Sequence, residues 1–370
     1  MNIPSFPTQY TDILSLIDQL DVVRYAQSRN YVDGAVSRLS PYISRGVISL
    51  PLVMERVRSR YTADQAYTFI FELAWREYFQ RQWWQLGEQI WTDIRQPQSG
   101  VIHHGVPQGI LTAHTGISAI DTAIQELYDT GYMHNHLRMY TASLTCHISH
   151  SHWLAASRWM YYHLLDHDIA SNTLSWQWVA GTFSSKKYYC TQENINKYCH
   201  TDQRGTYLDH SYEALPDMPV PDVLKPFAQP ALDMTLPDTP LPTFDHSKPL
   251  LIYHAYHLDP TWRSDMDANR LLLIERSHYA QHPVSPMVMS FIWSLSKNIP
   301  DIKVYVGEWA DIATAGDFPA IYSRSHPAFQ QYPGHKDEPE WMFPKVTKIG
   351  SSFMSFWKEC EKSMKSGQSS

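Results

Sequence analysis

Several short blocks of this sequence group residue types that chemistry uses in company. Ser37-Arg38-Leu39-Ser40 offers two hydroxyls, a guanidinium and backbone amides near a helix start, a composition suited to pyrophosphate and ribose. Glu72, Trp75 and Arg76 stand at i, i+3 and i+4, so one helical face presents a carboxylate, an indole and a guanidinium together. Asn135 and Arg138 lie three apart, and Asp166 and Asp168 follow one helical segment later; an Arg138–Asp166 ion pair is expected. Asn172, Trp176 and Trp178 close the series. Polar residues that can hold a cofactor thus recur beside aromatics that can carry electrons. His134 and His136, in the Asn135 block, are the type for acid–base work.

Metal chemistry is not expected. His147, His150 and His152 cluster, but no carboxylate or cysteine accompanies them at ligand spacing. Cys146, Cys190, Cys199 and Cys360 are scattered without CxxC spacing, which indicates neither a zinc site nor a disulfide framework.

The elements that must position these residues read mainly as helix up to about Cys199. Thr62 to Leu86 carries Phe69, Ile70, Leu73, Trp75 and Phe79 near helical spacing, and Ala119 to Tyr128 repeats the pattern, with Ser118 and Asp121 as start signals. Nine prolines between Pro216 and Pro249 then punctuate a tract that can be neither helix nor central strand. Strand–helix alternation follows: strands at Pro249 to Tyr256, Leu271 to Glu275, Ile302 to Gly307 and Ala320 to Ser323, helices at Met287 to Leu295 and Ser351 to Met364. That alternation implies a parallel, doubly wound sheet, and it lacks a GxGxxG fingerprint. The expected organisation is a helical domain over 1–200, an acidic Pro-rich linker over 201–248 and a small α/β domain over 249–370.

A chain of 370 residues with 13% aromatic residues is more than one ordinary domain. The net charge of −7 lies almost entirely in one tract. Between Thr201 and Asp245, Arg204 and Lys225 face eight carboxylates, so the rest is close to neutral and any basic groove must be local. No apolar run is long enough for a bilayer and no basic-then-apolar leader opens the chain, so a cytoplasmic protein without a membrane partner is expected, nucleoid-associated if bacterial.

These blocks, with Glu72-Leu73-Ala74-Trp75-Arg76-Glu77, Gly131 to Met139, Asp166 to Asn172 and Trp176-Gln177-Trp178, resemble the flavin domain of the photolyase/cryptochrome family over roughly residues 20 to 200. The resemblance implies an all-α FAD-binding domain followed by a Rossmann-like α/β domain. It places Tyr25, Ser37, Arg38, Leu39 and Ser40 at the cofactor, with Arg76, Asn135, Arg138, Asp166, Asp168 and Asn172. Asn172 matches the residue facing flavin N5, and a nearby cation keeps a reduced ring anionic. Glu72 matches the residue that hydrogen-bonds damaged pyrimidines, Trp75 one that packs on the lesion, and Met139 the Met of cyclobutane-dimer photolyases. Trp178 matches a wall of the substrate pocket, where stacking on a flipped base is worth about 1–3 kcal/mol. Catalysis thereby falls to Glu72, Asn135, Asn172 and Met139.

Trp176 and Trp153 match the proximal and middle members of an electron relay. The distal position falls near Pro97, so the relay finishes through Trp91, Trp83, Trp84 or a tyrosine such as Tyr161. The chain departs from the family elsewhere too. His136 replaces a common Arg, and Ser185-Lys186-Lys187 replaces a phosphate-binding run, where the lysines either contact the DNA backbone or form a solvated surface. Only Cys190 and Cys199 fall near the region of the iron–sulfur branch, so no cluster is expected. Val346-Thr347-Lys348-Ile349-Gly350 with Phe353, Phe356, Trp357 and Lys358 resembles the end of the family's antenna domain, here behind the flavin domain. The expected activity is light-driven repair of cyclobutane pyrimidine dimers in UV-damaged DNA by reduced FAD, with a second antenna chromophore open. The alternatives are a blue-light photoreceptor and a flavin-binding scaffold without light function.

Overall fold

The structure, a computed structural model, describes residues 6–184, 186–350 and 352–366. Ser185 of the lysine run and Ser351 of the final helix lie outside the described residues. The chain divides into two compact units that interleave along the sequence. One comprises Val23–Val36 and Gln85–Leu232; the other comprises Phe6–Val22, Ser37–Trp84 and the chain from Asp233 onward.

The first unit is built on the helices Ser118–Thr130, Asn135–Ser143, Trp153–His163, Ile169–Ala180 and Gln192–Cys199. It is not wholly α-helical. A two-residue strand β1, Val106–Pro107, pairs antiparallel with β2, Phe227–Ala228. A residue before proline avoids the helical region, so Val106 is extended and free to pair. The proline tract is irregular, yet Leu208, Leu215 and Leu224 from it are buried in the same core as Trp153, Trp159 and Tyr140. Apolar side chains spaced between the prolines thus anchor a segment that has almost no regular structure.

Two local devices set the geometry around Asn135. Gly131 ends the Ser118–Thr130 helix at φ 69°, the left-handed cap that only glycine adopts without strain. A Cβ there would lie 2.6 Å from Leu165 Cγ, so glycine also permits the close approach that lets Leu165 N–H donate to Gly131 O at 2.8 Å. After Ser143 the chain widens into a π-helix at Leu144–Ile148. The hydroxyls of Thr141, Thr145 and Ser149 each donate to the carbonyl four residues back, a pattern that loosens a helix.

The second unit holds a five-stranded parallel sheet of β3 (Leu250–Tyr253), β4 (Asn269–Glu275), β5 (Lys303–Gly307), β6 (Ile321–Arg324) and β7 (His335–Asp337), in the order β5-β4-β3-β6-β7. Every residue of β3 and β4 is buried, as expected of parallel strands covered on both faces. The chain reverses its direction of growth between β3 and β6, the switch point of a doubly wound sheet. Four of these strands and the 286–296 helix follow the apolar runs in the sequence. β7 and the helices Arg276–Gln281 and Trp309–Thr314 do not, because a three-residue polar edge strand and single-turn helices carry no period to read.

The long Ala63–Leu86 helix belongs to this unit up to Trp84. Thr62 and Gln65 cap its start reciprocally: Gln65 N–H donates to Thr62 Oγ1 and Thr62 N–H to Gln65 Oε1. One turn beyond its middle, Glu77 and Arg81 form a buried pair that grips the 342–346 segment. Glu77 accepts from the Met342 and Phe343 amides, and Arg81 donates to the Phe343 and Val346 carbonyls. Burial raises the Glu77 carboxyl above its ordinary pKa, against the pull of Arg81 and the two amides. The final helix, Phe353–Ser366, closes on the same helix through Phe353, Phe356 and Trp357.

Candidate functional site

In the first unit, Arg138 and Asp166 form the expected pair, Nη1 to Oδ2 at 3.1 Å, with Asp166 nearly excluded from solvent. Arg138 Nε donates to Met133 O at 2.8 Å, while Nη2 has no partner among the described residues. The 131–138 and 164–168 segments meet because Gly131 admits Leu165 beside it. Asp168 caps the next helix, its Oδ1 accepting from Ser171 N–H at 2.6 Å. Asn172 follows in the first turn, and its Nδ2 donates to Ser157 O at 2.9 Å.

Asn135 is exposed, and its amide nitrogen lies 3.9 Å from Met139 Sδ one turn on. The two histidines beside it serve local structure. His134 caps the Asn135–Ser143 helix. His136 stacks on Tyr140 and accepts or donates with Asn30 O at 2.7 Å; burial lowers its pKa. His147 is likewise built in: it bonds to Val179 O at 2.7 Å, and burial holds its pKa down to about 4.

Trp153 and Trp176 are buried in this unit's core. The Trp153 indole N–H donates to Asp93 Oδ1 at 2.7 Å, and His152 Nε2 reaches the same oxygen at 3.2 Å. Trp91 carries the Arg158 guanidinium over its ring. Trp178 is half-buried and tilted against Tyr188, and Lys186 and Lys187 are exposed without an ion pair among the described residues. Tyr25 sits half-buried on the Val22–Ser28 helix.

The second unit carries the remaining expected residues. Ser37, Arg38 and Leu39 lead into the short Ser40–Ser44 helix, and the Leu39 N–H reaches Ser37 Oγ at 3.4 Å. Arg38 is exposed at φ 53°, a left-handed conformation uncommon away from glycine and frequent at functional loops. Leu39 is wholly buried and anchors that loop. Arg76 donates to Ser44 Oγ at 2.8 Å. Glu72 is half-buried. Trp75 stacks flat on Phe353, centroids 3.7 Å apart, so one face of this indole is taken by the unit's own core.

Residues 69–249 match the FAD binding domain of DNA photolyase. Over this stretch the chain is similar to the photolyase/cryptochrome family. Its relatives include a Streptomyces griseus deoxyribodipyrimidine photo-lyase, 28% identical over 57% of this chain and 46% of its own. A Synechocystis cryptochrome DASH is 26% identical over 55% and 43%. A solved Synechocystis cryptochrome covers 60% of this chain and 49% of its own, at TM-score 0.46 and 23% identity. The chain spans about half the length of the curated relatives it matches. The structure has the helices and the parallel five-stranded sheet described above, and the matched domain is one that binds FAD.

The residues present fit that cofactor. The hydroxyls of Ser171 and Thr173, on either side of Asn172, are buried with no hydrogen-bond partner among the described residues. Buried polar groups left so cost free energy that a ligand's polar atoms would relieve. Arg138 Nη2 adds a cationic donor to the same unit. Neither Ser171, Thr173 nor Asp93 was legible as a partner in the sequence. Asp93 stands sixty positions from Trp153, and no spacing rule links them.

Proposed function

We propose that this protein splits cyclobutane pyrimidine dimers in UV-damaged DNA under blue or near-ultraviolet light. When bound, reduced FAD supplies one photoexcited electron and takes it back after the ring opens. The chain's own residues bind, orient and stabilise. Arg138 and Asn172, with Asp166 and Asp168 fixing their places, would hold the flavin ring; Tyr25, Ser37, Arg38, Leu39, Ser40 and Arg76 would hold its phosphates and sugar. Glu72 and Asn135 would hydrogen-bond the lesion as it takes on negative charge, and Met139, Trp178 and the outer face of Trp75 would pack on it. Lys186 and Lys187 would meet backbone phosphates, a contact weakened by salt.

The observation that carries the repair reading is the exposed Asn135–Met139 contact on one helix turn, which presents an amide and a thioether side by side. The deoxyribodipyrimidine photo-lyase relatives support it. The α/β region over 249–370 is read as the antenna-like domain following the flavin domain over 1–200 through the 201–248 tract. A second chromophore would lie at the carboxyl ends of β3 and β6, where such sheets hold ligands.

The test is repair of a defined dimer-containing oligonucleotide under blue light. Glu72→Ala should lose at least about tenfold in rate, the scale of one lost charge-assisted hydrogen bond, and leave flavin photoreduction intact. Untouched dimers beside normal photoreduction in the unaltered chain would favour a photoreceptor, a reading that the cryptochrome DASH relatives and the buried Trp176 and Trp153 support.

A further inference from the structure

Trp153 is entirely buried, yet its indole N–H ends on a carboxylate that reaches water. Asp93 Oδ1 accepts that N–H at 2.7 Å, its Oδ2 accepts from Gln98 N–H at 2.7 Å, and the side chain is 19% exposed. The other titratable groups facing Asp93 are His152, 3.2 Å from Oδ1, and the buried Cys146 thiol, whose pKa burial and the Asp93 charge both raise. His104 stacks on His152 from the surface. His152 Nδ1 accepts from Leu154 N–H, so its proton is assigned to Nε2, from which it donates to Asp93. Burial lowers the pKa of this ring, chiefly, against the pull of Asp93. The histidine therefore steadies the carboxylate and does not compete for a further proton.

An indole holds its N–H proton firmly until it loses an electron; the radical cation is then about as acidic as a carboxylic acid. We propose that Asp93 is the proton acceptor for oxidised Trp153 and that Trp153 is the end of the electron relay in this chain. The proposal rests on reading Trp176 and Trp153 as that relay. Trp153 loses one electron by way of Trp176, which oxidised FAD, when bound and photoexcited, would accept. The Nε1–H bond breaks, its electron pair stays on nitrogen, and the proton joins Asp93 Oδ1. A neutral indolyl radical is left, and the proton passes to water at the exposed edge of Asp93. An external thiol returns one electron and one proton to restore the indole. The run Trp91 to Gln98, where the family's distal tryptophan would fall, supplies the base and its positioning amide instead. Loss of the positive charge means that electron return must wait for a proton, which prolongs the separated state.

The experiment uses the full, FAD-loaded chain with nitrogen-15-labelled tryptophan. In the dark, the Trp153 indole N–H resonance, assigned by its loss in Trp153→Phe, should be shifted downfield and slow to exchange, and Asp93→Asn should move it upfield. After a flash, the unaltered protein should show the neutral indolyl absorption, formed several-fold more slowly in deuterium oxide. Asp93→Asn keeps an oxygen to accept the hydrogen bond but has no basic site. It should show the radical-cation absorption and a several-fold faster recombination, and Asp93→Glu should restore the neutral species. An Asp93→Asn protein with an unchanged melting temperature that forms the neutral radical at the original rate overturns the assignment of Asp93 while leaving the relay intact. A Trp153→Phe protein that photoreduces its flavin as the unaltered chain does removes the relay reading, and this proposal with it.

Discussion

Each unit contains an arginine–carboxylate pair withdrawn from solvent, and these two pairs differ in what they leave over. In the second unit, Arg81 and Glu77 are 8% and 0% exposed, and Arg81 Nε, Nη1 and Nη2 all donate within the chain. In the first, Arg138 and Asp166 are 22% and 4% exposed, and Arg138 keeps Nη2 uncommitted among the described residues. A pair whose guanidinium nitrogens all donate within the chain is a fastener. A pair with a donor left over and a partly open side is built to receive something. The second unit also buries His254 and His257 behind β3, and the first holds the Asp166 and Asp93 carboxylates in contact with guanidinium, indole and imidazole.

The sharpest way to break this comparison is to remove one partner from each pair. Glu77→Ala leaves a buried guanidinium and two amides without their acceptor and should cost about 3–5 kcal/mol in urea-unfolding stability. Asp166→Ala should cost clearly less, with its larger effect on FAD affinity; equal losses would erase the distinction. A second test uses pH. Burial holds the His254 pKa down to about 3 against an ordinary value near 6.5. The unfolded chain then binds a proton at this position below pH 6.5 while the folded chain does not. The stability is fully present above pH 6.5 and falls as pH is lowered through that window towards 3. At pH 5 His254 alone should remove about 2 kcal/mol. Hydrogen exchange should show the β3 amides opening first, before those of the Asn135–Ser143 helix. The smallest effect belongs to Gly131→Ala. A Cβ at φ 69° pressed against Leu165 should cost roughly 1–2 kcal/mol. It should weaken FAD retention through the Arg138–Asp166 geometry more than the melt alone suggests, and unchanged FAD binding would count against that link.

Much of this molecule is visible in its residues. The 63–86 helix and four of the five sheet strands follow from apolar spacing, because a buried stripe or a buried strand demands that pattern wherever it occurs. The Arg138–Asp166 pair was legible because a buried guanidinium needs a carboxylate and the helical count offered one nearby. The all-α reading of the first 200 residues failed at Val106, where a proline imposes extended backbone that another proline-bounded segment then pairs with. The compact units interleave along the sequence. Helix 63–86 is joined to residues nearly three hundred positions away by Glu77, Arg81 and the Trp75–Phe353 stack.

By itself the sequence determined the longer elements, since periodicity and proline placement are local properties of the chain, and which residue types are available for chemistry. Tertiary structure alone decided partnership: that Phe353 covers one face of Trp75, that Asp93 takes the indole proton bond of Trp153, and that Arg138 has a donor to spare. Those contacts depend on where distant segments come to rest. Hydrogen bonds and ring stacks act over a few ångströms of space, and separation along the chain sets no such distance.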